Sequence, residues 1–354
     1  MDNLAHTLAG AAIGRAIAAD RVPAAGWIGA VAANAPDWSE LLIDLRLRRG
    51  GISYYLWHRG VTHSLVGAAV ETVAIFGVLW MLFTARRHHA RPPVPIAPLL
   101  ALVSAAVFSH LYMDWQGSYG LRPFLPWSGR WYYGDWVAIV DPLFWLVPLV
   151  ALAWGAERHW RDLVPFVLLS ILLAWLVLRA DEVAGWLRVA CTGTLAIGAV
   201  GWVRHWFGVA SRRRVATLAL GLLALYAATQ AVASVPVKAA VRRKAVARFG
   251  SSAEWAALTR IGTPFRWEPI LASLDTVAGR GWALPRHLDD PRVQRALRDT
   301  PAGRALGGFA RFLIAEVYSA PDDVVVTLRD ARYARPPATG WGVVTVRLGS
   351  ARSE

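Results

Sequence analysis

Histidine and aspartate residues with the spacing of metal ligands lie at the edges of apolar stretches in this chain. His110 and Asp114 are one helical turn apart, so on a helix they share one face. A neutral imidazole and a carboxylate placed in this way can bind one divalent cation, and a buried hydrogen-bonded pair is the alternative. His58 and His63 do not align on a regular helix. Their spacing favours His58 in a loop, with Thr62 or His63 opening the following helix.

Three further residues of the same types stand at segment ends. His6 lies in the first apolar segment, Asp37 follows a proline, and Asp141 precedes one. Their alternative roles are a hydrogen-bonded histidine at a helix end, a turn residue and a helix cap. The full set of predicted metal ligands is His6, Asp37, His58, His63, His110, Asp114 and Asp141.

This ligand set suits zinc, with on the order of one to three divalent ions. Two ions about 3.5–4 Å apart would clamp a phosphoester and activate a water molecule as the nucleophile, and Asp114 could bridge them. Arg59 could bind the anion bidentately, with a lipid headgroup or a carboxylate as the alternative contact. Candidates for a wall that contacts the substrate are Trp127, Trp131 and Tyr132, which otherwise form an interfacial aromatic belt.

The composition of the chain is that of an integral membrane protein. Of its 354 residues, 56% are hydrophobic and only 18% are charged, whereas about 25% is usual for soluble proteins. The 19 tryptophans also favour membrane–water interfaces. The net charge of +14 lies mostly in short clusters beside apolar segments, which fits topology signals and anionic lipid better than nucleic acid. Nucleic acid is therefore not an expected partner, and the single cysteine, Cys191, excludes a cysteine metal cage.

The apolar segments divide the chain into two predicted domains. Residues 1–235 are predicted to form an all-α polytopic membrane domain with about six spanning helices and an N-terminal helical hairpin. Residues 236–354 are predicted to form an amphipathic helix and a small C-terminal α+β or β-rich extramembrane domain. The predicted spans are 64–84, 95–113, 139–156, 163–179, 186–203 and 215–235, the hairpin segments are 4–19 and 23–35, the basic helix is 238–248, and the strand-like runs are 312–318, 324–328 and 341–348.

The distribution of arginines predicts the orientation of these helices. The hairpin tip and the loops at 86–91, 157–162 and 204–214 carry most of the excess positive charge on one face, which is therefore predicted to be cytoplasmic. All the predicted metal ligands then fall on the opposite face. We expect a multi-pass protein of a bacterial-type inner membrane, with the metal site and the C-terminal domain on the extracytoplasmic side.

Several short motifs resemble a known family. The chain is similar to the YdjM-like family of membrane-bound metal-dependent hydrolases over about residues 1–150, and the string from His58 to Ser64 is the most specific part. The region around Phe265 and Trp267 also resembles the C-terminal part of longer members. The motifs that carry the resemblance are the opening Met1–Gly10, Ala35-Pro36-Asp37, His58-Arg59-Gly60-Val61-Thr62-His63-Ser64, His110-x-x-x-Asp114 followed by Gly120, and Asp141-Pro142.

The resemblance implies a metal-dependent hydrolase, with one departure from the family pattern. Members often carry Pro-Asp-x-Asp after the hairpin, whereas Trp38 and Ser39 follow Asp37 here. The second carboxylate is therefore missing unless Glu40 supplies it. By ligand types and chain order, the pattern is more distantly similar to zinc-dependent phospholipases C and related nucleases. That similarity implies a mostly helical fold with a cluster of zinc ions.

Three functions compete on these observations. The preferred hypothesis is a membrane-bound, divalent-metal-dependent hydrolase of a phosphoester such as a lipid headgroup or a lipid-linked phosphate, with membrane lipid as partner. The alternative is a non-catalytic membrane protein whose metal site only links helices and whose outer domain binds a partner. A transporter that uses Glu71 and the cluster as a relay ranks last, because the ligands lie at segment ends rather than near the bilayer midplane.

Overall fold

The first part of the chain is helical. The computed structural model describes residues 1–39, 42, 55, 58–85, 93–157, 159–320 and 323–349. Glu40, and the arginines at positions 86, 87, 91 and 158 that contribute to the predicted orientation, lie outside these residues. The helices of this part are α1 (Asn3–Ala18), α2 (Ala25–Ala32), α3 (Leu65–Ala85), α4 (Ile96–Trp115), α5 (Pro142–Trp154), α6 (Trp160–Arg179), α7 (Gly185–Val203) and α8 (Arg212–Phe249).

Within the described residues, 5 helices are long and apolar enough to cross a membrane. They are α3, α4, α6, α7 and α8, and they confirm the prediction of a mostly helical membrane domain. The predicted span at 139–156 is instead the shorter helix α5, which has 13 residues. Because a straight span needs about 20 residues, the structure supports these long helices and leaves the predicted total of about six spans as a prediction.

The last helix of this part is longer than a bilayer requires. Helix α8 has 38 residues and continues through Pro236, which corresponds to about 57 Å of helix. The hydrocarbon core is about 30 Å thick, so a large part of α8 must extend beyond it unless the helix is strongly tilted. The basic helix predicted at 238–248 is therefore the continuation of the last span rather than a separate element.

Small residues let α1 and α2 pack with their backbones in close contact. A Cβ atom added to Gly10 would lie 2.3 Å from the carbonyl oxygen of Gly29, and one added to Gly29 would lie 2.0 Å from that of Gly10. One turn further along α1, a Cβ on Gly14 would lie 2.0 Å from the carbonyl oxygen of Ala25. Such spacing of small residues allows close helix approach in membranes. The close approach of α1 and α2 forms the predicted hairpin. It also brings the residues at the start of α1 close to those that follow α2.

The buried helix α4 lies at the centre of this packing. Leu99, Leu102 and Val103 are fully buried among residues of α1, α2 and α3. The first turn of α1 is held separately, because the Asp2 carboxylate accepts hydrogen bonds from the backbone N–H groups of Leu4 and Ala5. The same carboxylate accepts a bond of 2.9 Å from Nε1 of Trp145 on α5. These contacts fix the ends of α1 and α4 that carry the candidate ligands.

The C-terminal part contains two small sheets and two short helices, as the α+β prediction requires. One sheet has the order β1-β2-β3-β4 and the other β5-β6-β7. Strand β6 pairs antiparallel with both β5 and β7. The elements are β1 (Glu254–Thr259), β2 (Trp267–Ala272), β3 (Thr276–Gly279), β4 (Trp282–Pro285), α9 (Pro291–Asp299), α10 (Pro301–Phe309), β5 (Leu313–Ala320), β6 (Asp323–Asp330) and β7 (Val343–Gly349).

The three strand-like runs predicted from the sequence correspond to β5, β6 and β7, whereas the first sheet was not predicted. Its strands have only 4 to 6 residues. The chain forms two compact units, and the helical one comprises Met1–Ser39, Arg59–Ala233 and Thr259–Arg266. The other unit includes Ser234–Leu258 and the described residues from Trp267 onwards. Every side chain of the metal centre described below belongs to the helical unit.

The contact between α1 and α2 leads to a test of the hairpin. Gly29→Ala should lower the thermal unfolding temperature of the protein in detergent, because the added methyl group collides with backbone and overpacking costs about 1–3 kcal/mol. Gly77→Ala on α3 is the matched control, since a Cβ there meets open space. Circular dichroism during heating measures both. Equal unfolding temperatures for the two variants would contradict the packing described here.

Candidate metal centre

Helix α4 presents His110 and Asp114 from its last turns. Both are buried, with exposed fractions of 0% and 2%. Nδ1 of His110 lies 2.7 Å from the carbonyl oxygen of Ala33, to which it donates. A neutral imidazole that donates through Nδ1 keeps its Nε2 lone pair for another group, as in many metal-binding histidines. The predicted pairing of the two residues on one helix face is therefore formed, with the histidine oriented by α2.

A short 3-10 turn, Val61–His63, carries the second histidine to the same place. His63 is fully buried. The following helix begins after Ser64, whose Oγ accepts a bond of 3.0 Å from the N–H of Gly67. Ser64 therefore caps α3, rather than the predicted Thr62. The cap and the turn together place His63 just before the helix, whereas the spacing had predicted that Thr62 or His63 opens it.

Three donor atoms lie close enough to bind one cation. Nε2 of His63 and Nε2 of His110 are 3.0 Å apart. Oδ1 of Asp37 lies 3.3 Å from the His63 nitrogen and 3.7 Å from the His110 nitrogen. Zinc bonds of about 2.0–2.1 Å in a tetrahedron separate neighbouring donors by about 3.3 Å. The observed separations lie around this value, so the three side chains fit one face of a tetrahedral site.

Asp114 approaches the same two histidines. Its Oδ2 atom is 3.5 Å from Nε2 of His63 and 3.6 Å from Nε2 of His110. These distances also match the edge of a tetrahedral zinc site. Asp114 thus also approaches the histidine pair, although the metal-capable groups among the described residues combine it with His6 and His110 rather than with Asp37.

His6 forms a second group with His110 and Asp114. Its Nε2 lies 3.3 Å from Oδ1 of Asp114, and its ring stacks on that of His110 with 3.8 Å between centroids. Nδ1 of His6 is buried without a hydrogen-bond acceptor or donor nearby. The Met1 amino group also contacts Oδ1 of Asp114. Because His110 offers a single Nε2 lone pair, the two groups cannot each hold an ion through it.

One asparagine, Asn3, bonds Asp37 from the other side, and it also donates to the side chain of a second asparagine, Asn34, at 3.4 Å. Nδ2 of Asn3 donates to Oδ2 of Asp37 at 2.7 Å. Nδ2 of Asn34 donates to Oγ1 of Thr7 at 3.0 Å and to the carbonyl oxygen of Ala30 at 2.8 Å. Sequence reasoning missed both asparagines. The available signals were that Asn3 lies one turn before His6 on α1 and that Asn34 closely precedes Asp37.

The electrostatic environment keeps Asp37 ionised. Burial alone raises the pKa of this carboxyl group, but the hydrogen bond with His63 and the nearby imidazoles of His110 and His63 outweigh burial. The pKa of Asp37 therefore lies below its usual range. A carboxylate must be deprotonated to bind a metal ion, and Asp37 meets this requirement at neutral pH.

The guanidinium group of Arg59 forms an ion pair with Asp114. Its Nε lies 2.9 Å from Oδ2 of Asp114, and Nη1 donates to the carbonyl oxygens of Asp114 at 3.3 Å and Gly120 at 2.8 Å. The guanidinium carbon lies 4.4 Å from the centre of the Tyr119 ring. The backbone of Arg59 has a φ of 55°, a left-handed conformation that costs about 1 kcal/mol or more. The carboxylate contact is thus formed, and a direct contact with a substrate anion stays a prediction.

Two predicted ligands are not part of the cluster. Asp141 is buried as the N-cap of α5, where it accepts bonds from the N–H of Leu143 at 3.1 Å and from the Tyr226 hydroxyl at 2.8 Å. It belongs to neither metal-capable group among the described residues. The cap role weighed for Asp141 in the sequence therefore accounts for its position. His58 is half-buried and is likewise absent from both groups.

The predicted aromatic wall is only partly connected to the centre. Trp131 packs edge-on against Tyr119, with 6.3 Å between ring centroids, and Tyr119 lies beneath Arg59. Tyr132 is half-buried, whereas Trp127 is 79% exposed. Tyr119 was not among the predicted aromatic residues, although its ring contacts Arg59, which in turn contacts Asp114. The role of these aromatic residues in substrate contact stays a prediction.

Removal of a cluster histidine should abolish metal binding, and removal of His58 should not. We expect His110→Ala to lose most of its bound zinc, because Nε2 of His110 is common to both groups. His58→Ala is the matched control. Metal analysis of the purified proteins by mass spectrometry measures the stoichiometry. Loss of metal to the same extent in both variants would mean that the cluster identified here is not the site.

Asn3→Ala tests the support of Asp37. We expect metal affinity to fall about 10–100-fold, because groups that orient metal ligands typically contribute that much. Ser39→Ala is a suitable control, since its hydroxyl donates to Glu71 at 2.7 Å rather than to Asp37. Competition with a chelator measures the affinity of each variant. An unchanged affinity in Asn3→Ala would show that this hydrogen bond does not orient the ligand.

Comparison with protein-family models matches the chain to the model described as YdjM inner membrane protein, over residues 1–184. The comparisons with curated proteins and with solved structures found no match. The matched region contains all the side chains of the metal centre and helices α1 to α6. Together with the long apolar helices, it identifies a multi-pass membrane protein. Because the match covers more than half of the 354 residues, this chain belongs to the family of YdjM inner membrane proteins.

Proposed function

We propose that this protein is a membrane-bound, divalent-metal-dependent hydrolase whose substrate is a phosphoester, such as a lipid headgroup or a lipid-linked phosphate. The observation that carries this proposal is the cluster of His63, His110 and Asp37, whose donor atoms lie 3.0, 3.3 and 3.7 Å apart. Imidazole nitrogens and a carboxylate are the ligand types of catalytic zinc sites. A divalent ion held by this set supplies Lewis acidity and activates water for attack on a phosphoester.

Some side chains of this protein would bind such an ion, and others would orient those ligands. His63 and His110 would bind it through Nε2, and the bond from His110 to Ala33 holds that ring in place. Asp37 would bind through Oδ1 while Asn3 holds its other oxygen. Asp114, held in place by Arg59 and the Met1 amino group, would offer a further carboxylate oxygen near the histidine pair. His110, Asp37 and Asp114 thus each have a second contact that fixes their orientation.

Access to the centre favours the Asp37 side. The side chain of Asp37 is 19% exposed, whereas those of His63 and His110 are 0% exposed. A catalytic metal site needs one position open to water or substrate, and Asp37 is the ligand next to solvent. A substrate would therefore enter beside Asp37, with the histidines on the closed side.

The position of the cluster at helix ends supports a lipid phosphoester as substrate. His63 lies just before α3, and Asp114 lies in the last turn of α4. The ends of spanning helices lie near the membrane–water interface, where phosphates of lipid headgroups are found. A soluble phosphoester could reach the same place, so the substrate test must include both kinds.

Hydrolysis by the purified protein tests this proposal. Protein loaded with zinc should release product from lipid phosphoesters presented in detergent micelles, and His63→Ala should reduce the rate more than about 100-fold. His205→Ala is the control, because His205 follows α7 and belongs to neither metal-capable group of the described residues. Bound zinc without turnover of lipid or soluble phosphoesters would contradict the proposal.

A structural metal site is the second candidate. It is favoured by the full burial of His6, His63 and His110 and by the contacts that Arg59 and Met1 already make with Asp114. Structural zinc sites are closed, with protein ligands at all positions. In that case the metal would stabilise the fold and chelation would lower the unfolding temperature, but no phosphoester would be hydrolysed.

A further inference from the structure

A groove of about 700 Å³ opens on the helical unit beside α1. It is lined by residues of α1, α2, α5 and α6, by residues of the α1–α2 and α5–α6 connections, by Val209 just before α8 and by Arg212 at the start of α8. Helix α1 contributes Leu4, Leu8, Ala11 and Arg15, which recur with helical spacing and share one face. None of the side chains of the metal cluster lines the groove. The groove is therefore a separate feature of this part of the chain.

The groove is apolar along its length and charged at one end. Leu149, Leu152 and Leu169 line its wall together with the leucines of α1. At the charged end the lining residues are Arg15, Arg161 and Arg212 with Glu157 and Asp162. Among the lining residues the arginines outnumber the carboxylates by three to two, and Arg15 is bonded to a backbone carbonyl rather than to a carboxylate, so this end attracts a phosphate group.

Two of the arginines are anchored by backbone carbonyls. Nη1 of Arg15 donates to the carbonyl oxygen of Leu152 at 2.6 Å. Nη2 of Arg212 donates to the carbonyl oxygen of Ala19 at 2.9 Å and contacts the Asp20 carboxylate at 3.1 Å. A carbonyl orients a guanidinium group without neutralising its charge. Arg15 therefore keeps its charge and spare donors, and guanidinium groups bind phosphate well because their planar donors match its oxygens.

The length of the groove matches one leaflet of a bilayer. From Leu4 to Arg15 at the charged end, the rise along α1 corresponds to about 16 Å. This is about half of the roughly 30 Å hydrocarbon core. An acyl chain that lies along α1 from the arginines towards Leu4 would thus remain within a single leaflet.

We propose that this groove binds one phospholipid, with the phosphate at Arg15, Arg161 and Arg212 and an acyl chain along the apolar face of α1. The lipid belongs to the leaflet on the arginine side, which the sequence predicts to be cytoplasmic. It is distinct from a substrate at the metal centre, whose phosphate would lie near Asp37. This inference does not depend on hydrolase activity.

Native mass spectrometry of the full-length protein in detergent tests this site. Phosphatidylglycerol should bind the protein more tightly than diacylglycerol with the same acyl chains, because only the former has a phosphate for the arginines. Arg161→Gln should weaken phosphatidylglycerol binding about tenfold, the effect of losing one charge-assisted contact. Arg214→Gln is the matched control, since it removes the same charge from an exposed position that does not line the groove.

A second variant tests the apolar part. Ala11→Phe should fill the groove and reduce binding of both lipids, while circular dichroism checks that the protein remains helical. Equal binding of phosphatidylglycerol and diacylglycerol would overturn the assignment of the phosphate. Equal effects of Arg161→Gln and Arg214→Gln would show only a general attraction to positive charge and would also overturn it. Unchanged lipid binding in a folded Ala11→Phe would show that the chain lies elsewhere.

Discussion

The buried carboxylate of Asp114 is the interaction on which the helical unit depends. A charge placed among apolar helices is costly unless opposite charges and hydrogen-bond donors surround it. Here Arg59 and the Met1 amino group contact it directly, and His6, His63 and His110 stand within 3.3 to 3.6 Å of its oxygens. These groups come from α1, from the segment before α3 and from α4. The need to compensate one carboxylate thus explains why three distant parts of the chain converge.

This convergence requires close packing elsewhere. Gly10 and Gly29 let α1 and α2 approach until their backbones touch, which brings Asn3 to Asp37 and Ala33 to the hydrogen-bonding nitrogen of His110. The Asp2 cap and its bond from Trp145 hold the same end of α1 against α5. The metal ligands are therefore oriented by contacts of the hairpin as much as by their own helices. A cation at the cluster would add attraction for Asp37 and Asp114 and would join the same elements.

Much of the fold was predictable because it rests on local patterns. Long apolar runs predict spanning helices, and the His110–Asp114 spacing predicts one shared helix face. The position of His63 was harder, since the serine that caps α3 lies two residues beyond the expected Thr62 and directly after His63. Residue type alone does not distinguish Asp141 and His58 from the residues that form the metal-capable groups. The tertiary contacts that separate them are the Tyr226 bond, formed with a residue 85 positions away, and the approach of His63 to His110, 47 positions away. The first sheet was missed because its strands are short.

In the proposed site, His63, His110 and aspartate oxygens would together bind one divalent ion. X-ray absorption spectroscopy at the zinc edge measures the atoms around the metal in the full-length protein. We expect nitrogen and oxygen neighbours of the zinc ion at about 2.0–2.1 Å, with the outer scattering of two or more imidazole rings. A zinc ion surrounded only by water oxygens, without imidazole scattering, would contradict it.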